Sequence, residues 1–347
     1  MLVALIFALA SVALPAHAQE KARAPAKPTA GPAEEKTKRN GILLGTQWES
    51  PGDVEATQRT WWIAEADGAI QVREVSGLLV PRKSGFWKAG TKSVEHERYI
   101  WAAPLGTEPP NRPAIEPACQ DEQTNREFLF IGNDYIAVKE FGSATCAHYD
   151  ESTRFYVVTL ERPNPSEPDE NEEKGIGDVL GANAAELLEK AAAAQKPAKS
   201  EDLDCGALSV RPTDWAIVRG KGEWTIQANG SYGGHVCDGY FATELDLKIG
   251  LPRSFVGDAR LAMDWKSVAA AFPKAVDAIG APNGHFLVVL TDAELLVVPV
   301  TGRKIVTVLA RRSLQQGESV VMTQWATGEN VARWDKQVKE LQAKSAR

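Results

Sequence analysis

The sequence predicts a mainly β protein, built as β-propeller-like stacked antiparallel sheets. Two observations predict it. Paired β-type runs flank short turn signals at least four times, beginning near Trp61, Phe128, Trp215 and His285. Several runs, such as Phe286 to Leu290 and Leu295 to Val298, are apolar at every position, as strands covered on both faces are. The hairpin intervals are irregular and wider than the roughly 40–50 residues of one propeller blade. Each interval therefore holds a blade with a long loop, or more than one blade. Two β-sandwich or barrel domains joined by a linker are the alternative architecture.

The elements follow in chain order. Residues 1–18 read as a cleavable signal peptide. Leu2 to Leu14 is almost wholly apolar but shorter than the roughly 20 residues a bilayer span needs. Ala16 and Ala18 supply the small residues of an A-x-A cleavage site. No Lys or Arg precedes the apolar run, which departs from the usual signal pattern. Residues 19–40, rich in Ala, Pro, Lys and Glu, bury little apolar surface and are expected to be a disordered tether. Export to a secreted or periplasmic location is the expectation, with no membrane span after cleavage.

Residues 41–161 form a β-rich first half. Asp67-Gly68 and Asn133-Asp134 each sit between β-type runs, and Phe155 to Leu160 adds a strand. A Pro-rich loop, Pro104 to Pro117, separates the hairpins. Residues 162–204 are an acidic linker. Twelve acids and five bases lie between Glu161 and Asp204, so this stretch alone accounts for the chain's net charge of −7. Asn183 and Glu186 resemble a capping box for one short helix within it. Residues 205–330 are a β-rich second half, with turns expected at Gly220 to Gly222, Asn229-Gly230 and Thr291-Asp292. Ile305 to Ala310 and Ser319 to Gln324 are expected strands, and Asp264 to Phe272 a short helix. In residues 331–347, Val331, Trp334, Val338 and Leu341 recur at helical spacing, so a C-terminal helix should dock this stripe on the β body.

The four cysteines, Cys119, Cys146, Cys205 and Cys237, read as disulfides in an exported chain. The local pairing, Cys119 with Cys146 and Cys205 with Cys237, keeps each bridge within one half. Loops of this size predict about 3 to 4 kcal/mol of stabilisation per bridge. No C-x-x-C pair occurs, so a zinc site is not expected, and no other cofactor is implied.

Chemistry is hard to find. The chain has no H-E-x-x-H, G-x-S-x-G, P-loop or G-x-G-x-x-G motif. His235 and Cys237 share one face of an extended strand, and His148 repeats the pattern beside Cys146, but half-cystines are the simpler account of both. Glu244 and Asp246 would face the same way on a strand and are the candidate catalytic carboxylates. A solvated strand face is the simpler account of them. Trp61, Trp62 and Trp87 are the candidate binding residues. Adjacent Trp61 and Trp62 point to opposite faces of a strand, so one faces outward unless another sheet or the tail helix covers it. A flat indole with a polar edge suits sugars and peptides. The basic clustering that nucleic-acid binding needs is absent. In a eukaryotic source, Asn229-Gly230-Ser231 would be a glycosylation sequon.

Three functions compete. The first is a non-enzymatic binding module of the cell envelope or extracellular space, with an envelope glycan or protein as partner. The second is an extracellular hydrolase, glycan-directed, using carboxylates such as Glu244 and Asp246. The third is an accessory or inhibitor subunit with the tail helix as its contact.

Overall fold

A computed structural model describes residues 40–345, apart from 51–55, 67–68, 110–122, 145–148, 165–171, 196–198, 201–202, 205–206, 233–241, 253–254, 256–260, 262, 302–303 and 306. All four cysteines, His148, His235 and residues 1–39 lie outside the described residues, so the expected bridges, signal peptide and most of the tether do too.

Four antiparallel sheets are arranged as a β-propeller. The chain opens with β1 (Asn40–Trp48), β2 (Thr57–Ala66) and β3 (Ala69–Ser76). The hairpin signal at Asp67-Gly68 holds, because Ala66 pairs with Ala69. The second sheet contains β4 (Leu78–Arg82), β5 (Gly85–Val94), β6 (Glu97–Pro104), β7 (Gln123–Ile131), β8 (Tyr135–Ala144) and β9 (Tyr149–Thr159). It is two three-stranded meanders joined by one parallel pair, Glu97 with Thr124.

Helices α1 (Ile176–Leu180) and α2 (Ala182–Ala193) follow, then a short ribbon of β10 (Lys199–Ser200) and β11 (Leu203–Asp204). The third sheet is β12 (Leu208–Arg219), β13 (Trp224–Tyr232) and β14 (Ala242–Leu247). After α3 (Trp265–Ala271), the fourth sheet holds β15 (Ala275–Gly280), β16 (Phe286–Thr291), β17 (Glu294–Thr301), β18 (Lys304–Ile305) and β19 (Ala310–Ser313). Then β20 (Ser319–Thr327) returns to pair with β1, and α4 (Glu329–Ser345) ends the described chain. The first sheet is thus ordered β20-β1-β2-β3, and the two ends of the described chain close the ring. Closure of the ring in this way leaves only the edges of the individual sheets open.

Both faces of each strand of the first sheet are used. Ile42, Leu44, Trp61 and Ile63 join a core shared with Phe130, Trp215, Ile226, Val288 and Val297, so one cluster draws on all four sheets. Leu43, Trp62 and Ala64 on the opposite face pack with Leu79, Val80, Ile100 and Val138. The two β-rich halves therefore share one core. Side chains cap parts of two outer edges. Arg312 and Gln342 donate to the carbonyls of Val72 (3.3 Å) and Glu74 (2.9 Å) on β3, and Asp214 accepts from the Phe155 N–H of β9 at 2.8 Å. Arg219 on β12 grips Asp277 on β15 through two hydrogen bonds of 2.7 and 2.9 Å, tying the third sheet to the fourth.

The expected helix Asp264 to Phe272 forms as α3, with the Asp264 carboxylate accepting from the Ser267 N–H at 2.9 Å. The tail stripe docks as expected. Val331, Trp334 and Val338 are buried against the first and second sheets, and Leu341 is partly so.

Other expectations are corrected. Asn229-Gly230 is not a turn but lies within β13, where Asn229 is buried and donates to Thr153 O and Asp214 at 3.2 Å each. The neighbouring sheet satisfies this amide, which also removes the sequon from reach. Ile305 to Ala310 is not one strand but contributes only the ends of β18 and β19. Asn183 does not cap a helix. Gly181 is the N-cap of α2, at φ 91°, and Asn183 lies exposed within the helix. The linker's helices are not solvated spacers either, because Ile176, Ala184, Leu188 and Ala192 enter the shared core.

Candidate functional site

The structure separates the residues singled out by sequence. Trp61 is 1% exposed and sits under the Arg59 guanidinium, 4.3 Å from its ring centroid. Trp62 is fully buried, with Nε1 donating to Asp335 at 3.1 Å and its ring 6.1 Å from Trp334. The tail helix is what covers the outward member of the pair, so neither indole offers a face to a ligand. Trp87 is half-buried against the second core cluster, with Arg82 5.4 Å from its centroid. Glu244 and Asp246 are exposed on β14, the edge strand of the third sheet, where Asp246 accepts from Gln227 at 3.1 Å. His285 is half-exposed beside Glu65, 3.4 Å away.

A different set of residues converges. Where β1 runs out, Gln47, Trp48 and Glu49 meet Ala56, Glu127 of β7, and Gly317 and Ser319 from the turn into β20. They line a cleft of about 240 Å³. Strands β20 and β7 touch each other, so the cleft opens where the first and second sheets meet.

Its floor is fixed by buried hydrogen bonds. Gly317 adopts φ 73°, a left-handed conformation that lets the turn fold tightly before β20. The turn brings the Glu318 carboxylate inward, where it is fully covered. There it accepts from Arg59 Nε at 2.8 Å, from Arg59 Nη2, from Thr46 Oγ1 at 2.5 Å and from the Gln315 N–H at 2.8 Å. Arg59 also lies 4.9 Å from the centroid of the Trp48 ring, which holds that indole at the cleft wall. Gln47 donates through Nε2 to the Phe128 carbonyl at 2.7 Å. Its Oε1 is buried and accepts no hydrogen bond from the described residues.

The two carboxylates differ. Glu49 is paired with the buried Arg98 guanidinium. Glu127 is half-buried, and burial pushes its carboxyl above the usual range. Repulsion from Glu49 adds to this, while Lys139 and Arg98 oppose it. A raised carboxyl in a cleft is where function is sought first. By contrast, the row of Arg126, Glu140 and Arg154 across β7, β8 and β9, extended by Glu97 and Glu173, is fully paired. Burial would raise Glu140, but the two guanidiniums hold it below the usual range. That row is structural.

Among the described residues, no group of three or more His, Cys, Asp or Glu side chains is placed to hold a metal ion. Within the same limit, no helix is long and apolar enough to cross a membrane. Sequence reasoning missed Gln47, Glu49 and Glu127. Two signals lie near them in the sequence: Trp48-Glu49 stands just before Ser50-Pro51-Gly52, and Glu127 immediately precedes the apolar run Phe128 to Ile131. No protein-family model matches the chain, and no curated protein shows significant similarity to it.

Proposed function

We propose that the protein is an exported, non-catalytic binding module whose ligand site is the cleft lined by Trp48, Glu49 and Glu127. The observation that carries this reading is the cleft itself, where the half-buried Trp48 indole stands beside the Glu49 and Glu127 carboxylates, an apolar face with a few convergent polar groups. Export rests on residues 1–18, and an envelope glycan or protein remains the expected partner class.

A glycan-directed hydrolase is the second reading. Glu127, with its raised carboxyl, has the character of a general acid in the same cleft. Glu49 is the weaker half of such a pair, because the ion pair with Arg98 occupies the carboxylate that would act as base or nucleophile. The accessory-subunit reading loses its proposed contact, since the apolar stripe of α4 is already buried on the body.

The test compares retention on an immobilised envelope fraction. Trp48→Ala should lose about tenfold or more in affinity, while Glu244→Ala with Asp246→Ala should bind like the wild type. Wild-type retention by Trp48→Ala removes the cleft as the site. Turnover of a glycan that Glu127→Gln abolishes, with binding kept, selects the hydrolase.

A further inference from the structure

The cleft's chemistry narrows the ligand further, on the reading that the cleft is the ligand site. We infer that it binds a neutral, hydroxyl-bearing saccharide ring. Charge comes first. Among the described residues, the charged groups acting on Glu127 are Glu49, Lys139 and Arg98, so two acids face two bases. Arg59 beneath Trp48 is neutralised by the buried Glu318, with the half-exposed Glu74 as a second partner. These described groups leave little net field to favour either a cationic or an anionic ligand.

Polarity comes next. The groups at the cleft are rich in acceptors: the carboxylates of Glu49 and Glu127 and the Ser319 hydroxyl. Acceptors call for a ligand with several O–H donors. Shape is third. The half-buried Trp48 indole supplies a flat apolar wall, which matches the C–H face of a sugar ring while its hydroxyls reach the acceptors. At about 240 Å³ the cleft is smaller than the roughly 300–1,000 Å³ of sites that enclose drug-sized molecules. One ring fits that space, with the rest of any chain running outside.

The experiment titrates the full mature chain with methyl glycosides of glucose, galactose, mannose and N-acetylglucosamine. In parallel it uses a lysine-containing tripeptide with blocked ends. The readout is the Trp48 indole N–H resonance, assigned with Trp48→Phe. At least one glycoside should shift this resonance saturably, and Glu49→Gln should weaken that shift about tenfold with the fold intact by circular dichroism. Saturable shifts with the tripeptide and none with any glycoside overturn the saccharide inference while the cleft stays the ligand site. Glycosides that shift other resonances but leave Trp48 unmoved overturn both readings. No response to any probe overturns the saccharide inference.

Discussion

Arg59 on β2 and Glu318 in the turn before β20, 259 residues apart, form a two-point ion pair in which the carboxylate is fully buried. The pair locks the C-terminal strand onto the N-terminal sheet and sets the floor beneath Trp48. Glu318→Ala leaves a buried guanidinium without its main partner. Removing one member of such a pair costs about 3–5 kcal/mol. Urea unfolding should show that loss, and Arg59→Met with Glu318→Leu together should recover part of it. A single variant as stable as the wild type contradicts the role.

Glu127 carries a folded-state cost. Its carboxyl is raised in the folded protein, by burial first and by Glu49 second. For an acid raised on folding, the charged form is penalised, so the penalty is present above the folded pKa and disappears below the unfolded one. Glu127→Gln should therefore stabilise the protein at pH 7, by less than about 1 kcal/mol because solvent screens a half-exposed group. The two proteins should unfold alike near pH 3. A destabilised variant at pH 7 would count against this account.

Asp335 works in the opposite sense. Burial would raise it, but hydrogen bonds from Lys339 and Trp62 and the charges of Lys339 and Arg73 hold it below the usual range. An acid lowered on folding contributes stability above its unfolded pKa, and the contribution is lost as pH falls through the folded one. Asp335→Asn should lower stability at pH 7 by no more than about 1 kcal/mol. The difference should vanish as the pH drops below the ordinary aspartate range. Tryptophan fluorescence reports it directly, since Trp62 and Trp334 sit 6.1 Å apart at the contact.

Gly41 on β1 makes room for Trp62. A Cβ there would stand 2.3 Å from Cη2 of the indole. Because Trp62 is pinned by Asp335 and Trp334, it has little freedom to shift. Gly41→Ala should cost about 1–3 kcal/mol, the usual range for overpacking. A thermal melt unchanged from wild type would show that the ring moves freely.

Much of the β architecture was legible because hairpins are local. Asp67-Gly68, Asn133-Asp134 and Thr291-Asp292 each sit between runs that pair across them. Strands β4 to β6 were harder to see, since Pro81 lies inside β4 and no Asn-Gly or Asp-Gly marks their turns. Asn229-Gly230 misled for the same reason in reverse. Its composition says turn, yet Thr153 and Asp214 satisfy its amide from outside the strand. The candidate site was not legible, because Gln47, Glu127 and Ser319 come from three distant stretches of chain.

By itself the sequence determined strand hairpins, the short helix from Asp264 to Phe272 and the apolar stripe of the tail helix. These depend on periodicity and turn chemistry within a few residues. Tertiary structure alone decided which aromatic rings are hidden and where the cleft lies. Trp62 is buried only because Trp334 and Asp335 return to it, and Trp48 borders a cleft only because β20 closes the ring beside β1. Burial is a property of what packs on a side chain, and for these residues the packing partner lies about 270 positions away.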